Sequence, residues 1–255
     1  MSSPLSSMRI LVAGAAGAIG SGVVAELAGA GARVIAVDRD EMGLRRLEQE
    51  LAGAPTPRLS TRTCELSRTE PVGELARGIL LGGEGLDGLV SCLGSWWEEG
   101  LLREVPVLQE WDKVTASTIV PQLLLAREFV PLLAKNEKAR CLWINGGTAL
   151  NPQARAGLIN IASAAQLMLA RVLNVEEQGL DSATLLLEGP VRSRKLLDGN
   201  PEWMDSRGVG SACARILSAR SFPRGAILRA GNAEELNRIP EGPLLGPTSR
   251  AKEHR

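Results

Sequence analysis

The feature that most constrains this chain is an alternation. Short apolar, strand-like runs at Arg9–Ala13, Arg33–Val37, Arg58–Thr63, Gly88–Ser91, Arg140–Ile144, Ala183–Leu187 and Gly225–Leu228 are separated by helical patterns. Arg58–Thr63 is the least apolar of them. Runs that are apolar on both faces and joined through helices imply strands buried on both sides in one parallel sheet. The expected architecture is an α/β doubly wound fold of the Rossmann type, with three α/β/α layers. Residues 8–231 read as a single domain, 1–7 as an N-terminal extension, and the proline- and glycine-rich 232–255 as a loose tail.

A glycine-rich loop follows the first run and opens a helix: Gly14-Ala15-Ala16-Gly17-Ala18-Ile19-Gly20. Glycines there permit a tight turn and let the backbone approach a pyrophosphate, which the helix N-terminus stabilises. Asp38 ends the second run. A carboxylate at that place accepts hydrogen bonds from an adenosine ribose and repels a 2′-phosphate, so NAD(H) is expected in preference to NADP(H). Arg39, next to it, softens that preference.

Bulk properties narrow the function classes. The chain has 255 residues, and 29 acidic side chains balance 29 basic ones. Zero net charge gives no case for a nucleic-acid or membrane partner. No apolar run reads as long enough to span a membrane, and no signal peptide is recognised. Cys64, Cys92, Cys141 and Cys213 lie far apart in or beside apolar segments. They read as reduced residues of a cytoplasmic protein without metal-type spacing. The single histidine, His254, sits beside the C-terminus.

Taken together, these residues resemble the short-chain dehydrogenase/reductase family from Met8 to about Gly231. Glu65-Leu66 stands where the family has an Asp-hydrophobic pair beside adenine. Ser91-Cys92-Leu93-Gly94 stands in place of Asn-Asn-Ala-Gly. Glu188-Gly189-Pro190-Val191-Arg192-Ser193 resembles the Pro-Gly-x-Val-x-Thr turn over the nicotinamide. The resemblance implies a nicotinamide dinucleotide held by Gly14, Ala16, Gly17, Ile19, Gly20, Asp38, Arg39, Glu65, Leu66, Cys92, Gly94, Ser163, Gly189, Val191 and Ser193. It also implies a homodimer or homotetramer formed through the long helices Trp111–Leu133 and Ile159–Glu177, with Leu123, Leu124, Leu167 and Leu173 as outward candidates, of which some must face the sheet.

The chain departs from the family at its chemistry, because it contains no tyrosine at all. Aligning the Tyr-x-x-x-Lys helix without gaps puts Ile159 at the tyrosine and Ser163 at the lysine. Thr118 stands at the helix Asn and Gly146 nearest the serine. Isoleucine cannot protonate an alkoxide, and a serine hydroxyl cannot act as an ammonium does. Glu188 replaces a proline, and its charge is expected to need Arg192 or Arg194.

Other residues then become candidates. Asn145 and Thr148 end a strand, where open α/β sheets place ligands. Asn145 either polarises a carbonyl or satisfies local backbone groups. Trp96 and Trp97 form either an apolar wall for a substrate, together with Ile159 and Gly146, or ordinary core packing or a subunit contact. Glu98 and Glu99 act as a base only if buried. Two readings remain open at this point. One is an enzyme for a small, largely apolar or ring-bearing substrate, performing cyclisation, isomerisation, dehydration or hydride transfer without the Tyr-Lys relay. The other is a catalytically inactive binding or regulatory protein.

Overall fold

A computed structural model of the chain describes residues 5–53, 59–82, 85–193, 200 and 202–239, with backbone alone at 244–245. Strands β1 (Arg9–Ala13), β2 (Arg33–Asp38), β3 (Leu59–Thr63), β4 (Gly88–Ser91), β5 (Arg140–Gly146), β6 (Asp181–Leu187), β9 (Ile227–Ala230) and β10 (Leu244–Leu245) make one sheet. Its order is β10-β9-β6-β5-β4-β1-β2-β3. All pairs are parallel except the β10–β9 edge. A two-stranded ribbon, β7 (Val191–Arg192) with β8 (Met204–Asp205), lies apart from it. The last long strand is displaced from the Gly225–Leu228 reading. Gly225 has φ +71° and turns the chain, so pairing starts at Ile227.

Two helical layers bury the sheet. α1 (Gly20–Gly29), α2 (Glu41–Leu51), α7 (Ser206–Ser218) and α8 (Ala233–Arg238) cover one face, where Ile10, Val12, Val23, Leu27, Leu185 and Ile216 pack. α3 (Thr69–Leu81), α5 (Ile119–Leu133) and α6 (Gly157–Glu176) cover the other, where Leu11, Val37, Phe129, Trp143 and Leu173 pack. Alternate residues of each strand feed opposite cores, which explains the unbroken apolar runs. A third small cluster of Trp97, Val114, Ala156, Leu158, Ile159 and Ala162 joins α4 (Val107–Ser117) to the start of α6.

Four expectations are corrected. Residues 232–239 are not loose: Asn232 caps α8 by accepting from the Glu235 N–H at 2.9 Å, and Leu236 and Ile239 enter the main core. In the N-terminal extension Leu5 is likewise buried. The helix expected to run through 111–133 is two helices, α4 and α5, broken at Thr118. Pro121 explains the break, because it lacks an N–H and its ring crowds the carbonyl four residues earlier. Finally, Val107–Leu133 and Gly157–Glu176 are each long and apolar enough to cross a membrane, contrary to the reading of the apolar runs. In this fold α5 and α6 pack on the sheet, α4 packs on the start of α6, and 44% of each segment's apolar window is buried.

Candidate functional site

The strand order reverses between β1 and β4, and open parallel sheets bind ligands at the carboxyl ends beside that point. Gly14 ends β1 there with φ +76°, and a Cβ on it would lie 2.9 Å from the Cys92 carbonyl at the end of β4. The loop then folds back on itself. A Cβ on Gly20 would lie 2.0 Å from the Gly14 carbonyl oxygen, so only glycine allows this turn. At the entry to α1, the N–H groups of Ala18 and Ile19 have no acceptor among the described residues. Unsatisfied donors at a helix start are suited to an anion. Ala16 rests against the start of α2, where a Cβ on Gly43 would meet its own at 2.6 Å, and Ile19 packs on the core beneath. The cradle therefore fits a dinucleotide pyrophosphate.

Asp38 closes one side of the cradle. Its carboxylate accepts from the Ala16 N–H at 2.9 Å and from the Asp40 N–H at 3.0 Å, which fixes it at the loop edge. Arg39 is exposed and reaches Glu65 at 3.8 Å. Glu65 accepts from the Ser67 hydroxyl at 2.7 Å, and that hydrogen bond holds its carboxyl below the usual range. Leu66 is buried in the core behind it. The Cys92 thiol faces the α1 core, and burial pushes its pKa well up. Gly94 is exposed beyond it. On the far side, Gly189 lies close to Gly231, Val191 begins the small ribbon, and Ser193 is buried.

The second half of the site is the face of α6 against the ends of β5 and β6. Ile159 is buried in the small cluster with Trp97. Ser163 is also buried, and its hydroxyl accepts from the Thr148 hydroxyl at 3.2 Å. Asn145 is occupied on both sides: its amide donates to the Ser163 carbonyl at 2.8 Å, and its oxygen accepts from the Gly146 N–H at 2.8 Å. Of the two roles open to Asn145, this geometry performs the local one. Thr118, at the helix break, donates its hydroxyl to the Val114 carbonyl at 2.5 Å.

The two indoles do not form a paired wall. Trp97 is 7% exposed and donates its N–H to Glu110 at 3.1 Å, whereas Trp96 is 60% exposed. Trp97 packs into the small cluster with Val114 and Ile159 while Trp96 faces solvent, which separates them. Glu98 and Glu99 are both exposed. An open apolar recess of about 380 Å³ lies between the loop 100–103 and the segment 153–157 that leads into α6. Arg155 in that segment holds a left-handed backbone, φ +66°.

Two polar groupings lay outside the sequence reading. Gln166 on α6 donates to the carbonyls of Leu93 at 3.1 Å and Thr118 at 3.2 Å, and to Gln122 at 2.8 Å. Both glutamines are buried, so this network ties the end of β4, the α4–α5 break and α6 into one unit. Their signal was a glutamine inside each of two apolar helical stretches. The second grouping compensates Glu188. Its partner is Arg229 on β9, with Asn151 adding a hydrogen bond at 3.1 Å, and not Arg192, which faces Asp205 at 3.9 Å. Arg194 lies outside the described residues.

Comparison with known proteins agrees with this architecture. The family described as short chain dehydrogenase matches residues 8–179, about two thirds of the chain. The chain belongs to that family. It is 30% identical over 152 residues to 2,3-dihydroxy-2,3-dihydro-p-cumate dehydrogenase of Pseudomonas putida, across 58% of this chain and 56% of that protein. The match therefore spans little more than half of that relative. The fold superposes on a metagenomic short-chain oxidoreductase in complex with NADP (TM-score 0.75, 23% identity, 89% of this chain and 99% of the other). It also superposes on a Brucella melitensis 3-ketoacyl-(acyl-carrier-protein) reductase complexed with NADH (TM-score 0.76, 17% identity, 89% and 98%).

Proposed function

We propose that this chain is an oxidoreductase that holds NAD(H) in preference to NADP(H) and acts on a small, largely apolar or ring-bearing molecule carrying hydroxyl groups, without a tyrosine–lysine proton relay. The observation that carries this reading is a contrast within one site. The glycine cradle is intact, while the adjoining face of α6 presents Ile159 and a Ser163 already engaged with Thr148.

Bound in the cradle, the nicotinamide dinucleotide supplies a hydride acceptor or donor. The chain's own residues do the rest. Asp38 presents a fixed carboxylate to the ribose and opposes an added phosphate. Ile159 and Trp97 keep water from the α6 face, and the apolar recess accommodates the ring. The Pseudomonas putida relative is named for a ring-bearing dihydroxy compound, which supports the substrate class. Solved relatives carry NADP in one case and NADH in the other, so the choice of cofactor rests on Asp38.

The molecule works in the cytoplasm as a homodimer or homotetramer. Four free cysteines support the first statement. Apolar residues exposed on α5 and α6, namely Leu123, Ile161, Met168, Val172 and Val175, support the second. Of the four leucine candidates, Leu123 is exposed, Leu124 is partly buried, and Leu167 and Leu173 are the ones that face inward.

The test is a pair of measurements on the full chain. Calorimetric titration with NADH and NADPH reads the cofactor, and hydride transfer to NAD⁺ is screened over hydroxylated ring compounds. NADH binding with turnover of such a compound is the expected result. Absence of binding by either dinucleotide overturns the reading.

A further inference from the structure

Asn151, Glu188 and Arg229 meet at the carboxyl ends of β5, β6 and β9, on the face of the sheet that α6 covers. Leu185 and Leu187 point into the α1–α7 core, so the alternating position, Leu186, points to the α6 side, and Arg229 stands beside it in register. Glu188 continues the same side. The chain at Gly147 passes beneath it, where a Cβ would lie 2.7 Å from the Glu188 Cα. The next residue, Thr148, bonds Ser163. The cluster therefore adjoins the α6 face on which the function proposed above is based.

We infer that Glu188 and Arg229, steadied by Asn151, form a recognition site for a vicinal pair of hydroxyls on a neutral substrate. This rests on that proposed function and names the substrate feature it leaves open. One Glu188 oxygen, Oε1, accepts from Arg229 at 2.5 Å and from Asn151 at 3.1 Å. The other, Oε2, has no partner among the described residues. A fifth of the Glu188 side chain and a third of that of Arg229 remain exposed. Oε2 accepts a hydrogen bond from one hydroxyl, and the open edge of the guanidinium donates to the neighbouring oxygen.

Charge selects the ligand. The pair is neutral as a whole. An anion is opposed by Glu188 and a cation by Arg229, whereas a diol offers a donor and an acceptor side by side. Compensation of the Glu188 charge does not use every polar atom of the cluster. Arg229 Nε is buried with no acceptor among the described residues, a local cost of the kind found at functional sites.

The probes are cis-1,2-cyclohexanediol and cyclohexanol, titrated by ligand-observed NMR into the full chain saturated with NADH. The diol is expected to bind at least tenfold more tightly than the mono-ol. Glu188→Gln, checked for folding by thermal melting, is expected to weaken the diol about tenfold to a hundredfold, the range of a hydrogen bond to a charged group. Asn151→Ala, in an exposed loop, weakens it about threefold and decides the matter if Glu188→Gln does not fold. Equal binding of the two alcohols, or diol binding that the folded variants leave unchanged, overturns the inference. The NADH titration separates the two readings. If NADH binds and the diol does not, the hydroxyl site falls and the cofactor reading stands. If the diol binds through Glu188 to a protein that does not take NADH, the reverse holds.

Discussion

The two halves of the site are built on different kinds of constraint. At the cofactor half the constraint is backbone against backbone: Gly14 against Cys92 and Gly20 against Gly14. No side chain larger than hydrogen fits there, so the residue type follows from the turn itself. At the α6 half the constraint is side chain against side chain: Trp97 on Ile159, Thr148 on Ser163, Gln166 on Gln122. Many residue sets satisfy that kind of packing. The scaffold can therefore keep its dinucleotide turn while the neighbouring chemistry changes completely.

The largest effect that would break this comparison lies in the turn. Gly20→Val should abolish NADH binding and lower stability by about 3 kcal/mol, at the upper end for overpacking, read by urea melts and calorimetry. A folded Gly20→Val protein that still binds NADH would show that the turn is not fixed by its backbone. Next comes the buried network. Gln166→Leu strands the Leu93 and Thr118 carbonyls and should cost about 2 kcal/mol, measured by denaturant titration. A neutral result there would make the α6 half as permissive as its packing suggests.

Cofactor choice sharpens the first half. NADH should bind at least tenfold more tightly than NADPH, about 1.4 kcal/mol, and Asp38→Ala should narrow the gap. Equal affinities in the unaltered protein would remove the role given to Asp38. The smallest effect concerns the second half. Once a substrate is in hand, Ser163→Ala should keep most turnover, and Trp97→Ala and Asn145→Ala should lose more. Part of the Asn145→Ala loss is structural, because it unpairs the Ser163 carbonyl and the Gly146 N–H. A ~10²–10⁴-fold loss in Ser163→Ala, the size of a general acid–base contribution, would restore a chemical role to that hydroxyl.

The sequence was most readable where one residue dictates its own geometry. Seven strands, the glycine turn and the Asp38 position all follow from local pattern, and β1 and β4 have the boundaries expected. It was least readable where partners lie far apart in the chain. The Glu188–Arg229 pair joins two strands, and nothing near Glu188 indicates which of several arginines answers it. Arg192 was nearer in sequence, but it turns to Asp205 in the ribbon. The Trp96–Trp97 step failed for a related reason. Adjacency in the chain implied a shared wall, whereas the loop divides the two rings between core and solvent. The α4–α5 break was present in the sequence as Pro121, two residues after the helix restarts at Ile119.

One close approach has a consequence for how the molecule is made. A Cβ on Gly22 would lie 2.2 Å from the Ser206 carbonyl, and one on Gly210 would lie 2.5 Å from that of Gly22, so α1 and α7 touch through bare backbone. Glu26 then binds both Arg207 and Ser211. During synthesis α1 leaves the ribosome well before α7, which follows only after nearly the whole sheet. At typical translation rates the interval is roughly 10–40 s. Over that time Val23, Val24 and Leu27 lack the partner that buries them, a long-range contact of the kind that slows folding and exposes a nascent chain to aggregation. A polypeptide released before residue 206 has a complete dinucleotide turn in its sequence but no helix to seal it. An early helix of this fold is completed only by a late one.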